Sequence, residues 1–151
     1  MRSRFVCIVL GDQRGLAAVE AVFVLPILVF LMMATAEVGR LIYTYNTLTK
    51  AVESGARYLS RYAGAAPAKV QNIVVYGNDS PGGGARPLVP GLTLSNVTVQ
   101  NYTTDTRFVE VNIVNFRYSP MFASTLSFFG TGSGLNLAIP LNAGVVMRAN
   151  L

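Results

Sequence analysis

The chain opens with a polar, basic stretch and then turns apolar. Residues 21–36, AVFVLPILVFLMMATA, carry no charge, and residues 16–19 extend the apolar run backwards with Glu20 as its sole interruption. A helix over residues 16–36 is long enough to cross a hydrocarbon core of ~30 Å at ~1.5 Å per residue. Pro26 lies inside this run. It would break a helix in water, whereas a membrane helix tolerates it as a packing element with a kink. Beyond residue 36 the pattern stays helical but becomes one-sided. Val38, Leu41, Ile42, Tyr45, Leu48, Val52, Gly55, Ala56, Leu59 and Tyr62 recur at three- and four-residue steps, with Arg40, Thr44, Thr47, Lys50, Glu53, Ser54 and Arg57 between them. Glu53 and Arg57 stand i,i+4 in the favourable order. Gly64 and Pro67 end the helix. A helix over residues 16–62 would be roughly 70 Å long.

The period then changes. Residues 67–76 suit one or two further helical turns, and residues 77–91 read as loop. Leu92, Leu94, Val97, Val99 and Tyr102 form one alternating run and Phe108, Val109, Val111, Ile113, Phe116 and Tyr118 a second, with Thr103-Thr104-Asp105 as the turn between them. Residues 121–130 read as irregular or briefly helical. A third run over residues 135–147 places Leu137, Ile139, Leu141 and Ala143 on one side, and Pro140 marks it as an edge strand or a bulge. Three strands need a cover for their apolar face, and the amphipathic helix ending near Tyr62 is the available one. The predicted fold class is therefore α+β: a long N-terminal transmembrane helix continuing into an amphipathic helix packed on a small antiparallel sheet. The expected division is a basic cytoplasmic leader 1–15, a transmembrane helix 16–37, an amphipathic extension 38–66 and a β-rich exported domain 67–151.

Composition agrees with a partly apolar solvent. Charged residues make up only 13% of the chain and hydrophobic ones 52%, against about 25% charged in an ordinary soluble domain. Arg2, Arg4 and Arg14 precede the apolar run against Asp12 alone, so the N-terminus is expected in the cytoplasm and the C-terminal domain on the far side. The remaining positive charge is dispersed, which argues against nucleic acid as a partner. A cleavable secretory signal competes with the membrane anchor, because Ala34-Thr35-Ala36 spells an A-x-A site. The apolar run is longer than such signals need, and the helical pattern continues through Ala36 where a peptidase requires extended chain.

Little here points to catalysis. The chain has no His and one Cys, Cys7, ahead of the apolar run, which removes the usual base of a triad, most zinc sites and any internal disulfide. Asp79, Asp105 and Glu110 are the acids of the β-rich region, and the first two sit in turn-like sequence. The run Gly82-Gly83-Gly84 has no following Lys-Ser/Thr, so it reads as a linker rather than a phosphate cradle. Asn96-Val97-Thr98 and Asn101-Tyr102-Thr103 match a glycosylation pattern that is common by chance. The expectation is a non-enzyme with no catalytic residue, no metal and no cofactor.

One junction is more specific. In Arg14-Gly15-Leu16-Ala17-Ala18-Val19-Glu20, a basic leader ends in Gly, an apolar helix starts at once, and a carboxylate follows five residues in. This resembles the prepilin processing site of type IV pilins and pseudopilins. The wider series RGLAAVEAVFVLPILVF, EVGRLIY, ESGARYLSRYA and NIVVYGN, closed by an alternating strand, resembles the TadE-like family, the pseudopilins of tight-adherence (Flp) pilus systems. Tight-adherence prepilins usually follow the acid with an aromatic residue, whereas Ala21 follows Glu20 here. The resemblance implies cleavage by a prepilin-type peptidase between Gly15 and Leu16 and an assembly role for Glu20. It implies other pilins or pseudopilins and pilus platform proteins as partners beside membrane lipid, in a bacterial inner membrane. The alternative is an unprocessed, signal-anchored envelope protein whose exported domain binds a partner.

Overall fold

The computed structural model describes residues 14–62, 64–101, 108–121 and 138–149. The chain divides into two units, Met1–Ala36 and Glu37–Leu151. Helix α1 runs over Arg14–Arg61 and includes Pro26. Its end falls one residue before the Tyr62 that the periodicity marks, and Gly64 follows with positive φ. Helix α2 covers Pro67–Tyr76. Pro67 opens it because a first-turn N–H needs no helical partner. Gly77 closes it with φ 75°, donating its N–H to Ile73 O, a conformation that costs glycine little.

Within the second unit the strands are β1 (Val97–Asn101), β2 (Phe108–Tyr118) and β3 (Ile139–Arg148). They form one antiparallel sheet in the order β1-β2-β3. Strand β2 is central, and β1 and β3 are its two neighbours. Its phase shifts once. Val109, Val111 and Ile113 are buried, then Phe116 and Tyr118. The β2–β3 register slips between Ile113 and Phe116. Asn115 takes the extra residue at φ 58°, the left-handed region that Asn tolerates better than most side chains. The bulge thus keeps both halves of an eleven-residue strand facing the same core.

The core is apolar throughout among the described residues. Leu48, Val52, Ala56 and Leu59 of α1 meet Val70, Val74 and Val75 of α2 and Val97, Val111, Ile113 and Phe116 of the sheet. Gly55 lets α1 and α2 approach closely: a Cβ there would stand 2.6 Å from Val74 Cγ2. Gln71 of α2 donates to Val97 O of β1 at 3.0 Å. Asn96, in the short helical turn before β1, donates to Val114 O at the bulge at 3.2 Å. The loop after α2 returns along that helix, with Leu88 N bonded to Val75 O at 2.8 Å.

Three details differ from the sequence pattern. The α1 stripe is buried only from Leu48 onward, while Val38, Ile42, Tyr45 and Tyr62 are exposed. Strand β1 is shorter than its alternating run, because Leu94–Asn96 turn before it. In β3 the residues packed on the core are Leu141, Ala143, Val145 and Met147, while Ile139 is exposed at the strand end, past the reach of the core. Strand β3 is an edge of the described sheet, and Pro140 sits opposite Arg117, while the bulge is on β2. The leader with Cys7, the turn at Thr103–Asp105, residues 122–130 and the start of the third run, with Leu137, lie outside the described residues.

Candidate assembly site and the base of the second unit

The junction singled out in the sequence lies at the start of α1. Gly15 is exposed, and a Cβ added to it would meet nothing within 4 Å. Leu16 follows in the same helical turn, and nothing further is described of its side chain. Glu20 is exposed and, among the described residues, makes no ion pair or hydrogen bond. Pro26 lies two turns further along α1, where its missing N–H leaves the carbonyl of residue 22 without its usual donor. The side chains around it, Val22, Phe23, Leu25, Ile27 and Leu28, are all exposed. This helix is long and apolar enough to cross a membrane, and none of its most apolar stretch is buried against the rest of the protein. So much uncovered apolar surface marks a contact with lipid or with other chains.

A second group of polar residues, not evident from the sequence, sits at the base of the second unit. Tyr118, at the end of β2, donates its hydroxyl proton to Glu37 Oε1 at 2.5 Å. The other oxygen, Glu37 Oε2, is buried and accepts no hydrogen bond from the described residues. Arg40 Nη1 stands 3.8 Å from it as an ion-pair partner one turn along α1. Burial raises the Tyr118 hydroxyl above its usual range. Donation to Glu37 and the negative charge of that carboxylate raise it further, and Arg40 acts the other way. Sequence reading missed this group because it joins residues 81 positions apart. Glu37 by itself is one more charge on a helix, and Tyr118 one more inward position on a strand. The i,i+4 pair of Glu53 and Arg57, in contrast, is formed as expected.

A groove of about 420 Å³ lies beside α1. It is lined by the apolar Ala51, Ile73 and Leu88, by Gly77, and by Tyr43, Asn46, Thr47, Lys50 and Ser54. The Thr47 and Ser54 hydroxyls already donate to the carbonyls of Tyr43 and Lys50 at 2.9 Å. The described lining includes no carboxylate. Among the described residues, no group of three His, Cys, Asp or Glu side chains could hold a metal ion.

No curated protein and no solved structure matches the chain. The match to a protein family covers the helix that carries Gly15, Leu16, Glu20 and Pro26, beginning at that glycine and stopping before α2 and the sheet. Over residues 15–57 the chain matches the model of the TadE-like proteins, the family its sequence resembles and one associated with tight-adherence (Flp) pili.

Proposed function

We propose that this protein is a pseudopilin-like membrane subunit, structural rather than catalytic, needed to assemble a tight-adherence pilus or a related secretion apparatus. In this reading residues 1–15 form a cytoplasmic leader, α1 crosses the bacterial inner membrane once, and the sheet is exported. A prepilin-type peptidase cuts between Gly15 and Leu16. Other pilins or pseudopilins and the pilus platform proteins are the partners.

The observation that carries the reading is the family match, which begins at Gly15 and runs along a helix with uncovered apolar side chains. The chemistry supports it. Arg14 holds the leader at the inner headgroups, and Gly15 has no side chain to obstruct a narrow protease groove. Cleavage would leave a new positive amine on Leu16 beside lipid. Glu20 lies ~6 Å further along the helix, so one subunit's carboxylate meets a neighbour's amine when two helices are staggered axially. A carboxylate at the centre of a lipid-embedded helix costs about 2.5–3.5 kcal/mol, and less near an end, where Glu20 stands. Pairing with the amine at low dielectric offsets that cost, which favours association over separate subunits.

Intact-mass measurement on protein from native membranes tests the reading. In cells with an active prepilin peptidase the mature chain is expected to start at Leu16. Gly15→Leu should abolish the cut, while Glu20→Ala should leave it intact and impair incorporation into the assembly. A chain that keeps Met1 in such cells overturns the pseudopilin mechanism and leaves an unprocessed membrane anchor.

A further inference from the structure

We propose that the base of the exported domain, where α1 enters it, is a surface that binds phospholipid headgroups. The inference rests on the reading that α1 spans the membrane through its apolar run, and it adds a second lipid contact that is not part of that span.

Three observations carry it. The first is where α1 becomes part of the core. Leu48 is fully buried, whereas Tyr43 is 74% exposed and Ile42 and Tyr45 are exposed as well. Residues 37–46 advance about 15 Å along the helix with apolar and aromatic side chains that the sheet does not cover. The second is direction. Helical side chains tilt toward the N-terminus as a rule, which inclines residues 43 and 45 toward the apolar run, with Tyr43 also lining the groove beside α1. Tyrosine is the side chain enriched where an apolar ring must lie beside a wet headgroup. The third is the sheet. The bond from Tyr118 to Glu37 brings the end of β2 to the first turn after the apolar run. The ladder partner of Tyr118 is Ile139, 45% exposed, and its neighbour Arg117 is exposed too.

One end of the domain therefore presents an aliphatic fringe, two tyrosines and two guanidinium groups, Arg40 and Arg117. The one carboxylate among them, Glu37, is already bonded to Tyr118 and lies beside Arg40. The surplus is positive, which complements phosphate. The fringe is thin and mixed with charge, as suits the interfacial zone. It also continues directly from the apolar run of α1, so lipid rather than a second copy is the occupant.

The sequence has no Trp, so single tryptophans report cleanly. The experiment takes the full-length chain in phosphatidylcholine–phosphatidylglycerol vesicles whose acyl chains are brominated at shallow or deep positions. Leu28→Trp reports the span, Tyr43→Trp and Ile139→Trp report the proposed surface, and Tyr62→Trp, exposed at the far end of α1, is the control. Shallow bromines should quench the tryptophans at 43 and 139 severalfold more than the one at 62, with blue-shifted emission, and deep bromines should quench the one at 28 most. If position 28 is quenched while 43 and 139 behave like 62, the surface proposal fails and the span stands. If position 28 is also unquenched, the reading beneath it fails. A blue shift at 43 and 139 that bromines do not quench and that vanishes on dilution into excess lipid would assign the surface to a second copy, and overturn the proposal.

Discussion

Gly55→Ala sets two effects of opposite sign against each other, and the structure decides between them. Alanine in a helix interior is favoured over glycine by about 1 kcal/mol. Gly39, also within α1, has nothing within 4 Å of an added Cβ, so Gly39→Ala should realise most of that gain. At Gly55 the added Cβ would stand 2.6 Å from Val74 Cγ2 and 3.4 Å from Val70 Cγ1, where ordinary carbon contacts lie at about 3.5–4.0 Å. Val74 cannot swing aside. It is fully buried, and a β-branched side chain in a helix has one strongly preferred rotamer. Overpacking of this kind costs about 1–3 kcal/mol. Gly55→Ala is therefore neutral to destabilising by about 2 kcal/mol net, and it falls about 1–3 kcal/mol below Gly39→Ala. Pulse proteolysis of the full-length protein in detergent micelles across a urea series measures both variants. Val74→Ala, combined with Gly55→Ala, should recover the helix-propensity gain, giving a favourable coupling energy in the double-mutant cycle. Equal shifts for the two alanine variants would refute the close packing of α1 on α2.

Two further perturbations test the rest of the domain. Tyr118→Phe removes the donor to Glu37, and the loss should be at most about 1.5–3 kcal/mol, because the acceptor is charged but only partly buried. The Tyr118 hydroxyl is held above its usual range, so the fold favours its neutral form. Its contribution is complete below the unfolded value near pH ~10 and is lost as pH rises through the folded value. Alkaline denaturation curves of the parent and Tyr118→Phe should converge there, and curves that stay parallel through that window count against the linkage. Leu48→Asp, Val52→Asp and Leu59→Asp each place an unpaired charge among fully buried apolar side chains. All three should make residues 37–151 protease-sensitive, and variants that resist protease like the parent would show that α1 does not pack on the core.

Local patterns made most of the fold legible. The helix from the apolar run to Arg61, the stop at Gly64 and Pro67, and the β2 bounds follow from period and punctuation within a few residues of each other. The shift in the buried positions of β2, from Ile113 to Phe116, is also visible in the sequence as a break in alternation. What it does not reveal is that Asn115 absorbs the shift, since Val114 would serve the pattern equally well. Long-range pairing was the hidden part. Gln71 reaching Val97, Asn96 reaching Val114 and Tyr118 reaching Glu37 each join residues whose separate contexts are unremarked. The same holds for the candidate site. Gly15, Leu16 and Glu20 stand close together in the chain and were legible as a motif, whereas the cluster at the base of the domain needed the fold to assemble it.

The α1 stripe, one of the places where the structure departs from the periodicity, is informative for the same reason. Apolar residues recur along α1 at helical steps from Val38 to Tyr62, and a period alone cannot say which medium takes up the face it defines. The structure divides it. From Leu48 to Leu59 the face is covered by α2 and the sheet, while Val38, Ile42 and Tyr45 remain outside. A helix that passes from lipid through headgroups into a protein core meets three media in succession, and its side chains change accordingly. They are uncharged from Ala21 to Ala36, mixed with Glu37, Arg40 and two tyrosines to residue 46, and one-sided thereafter. In the membrane reading proposed above, the hydrocarbon would end at Glu37, and from Leu48 onward the core covers the helix. The ten residues between belong neither to the apolar run nor to the core, and the Glu37–Tyr118 bond ties the end of β2 to their start.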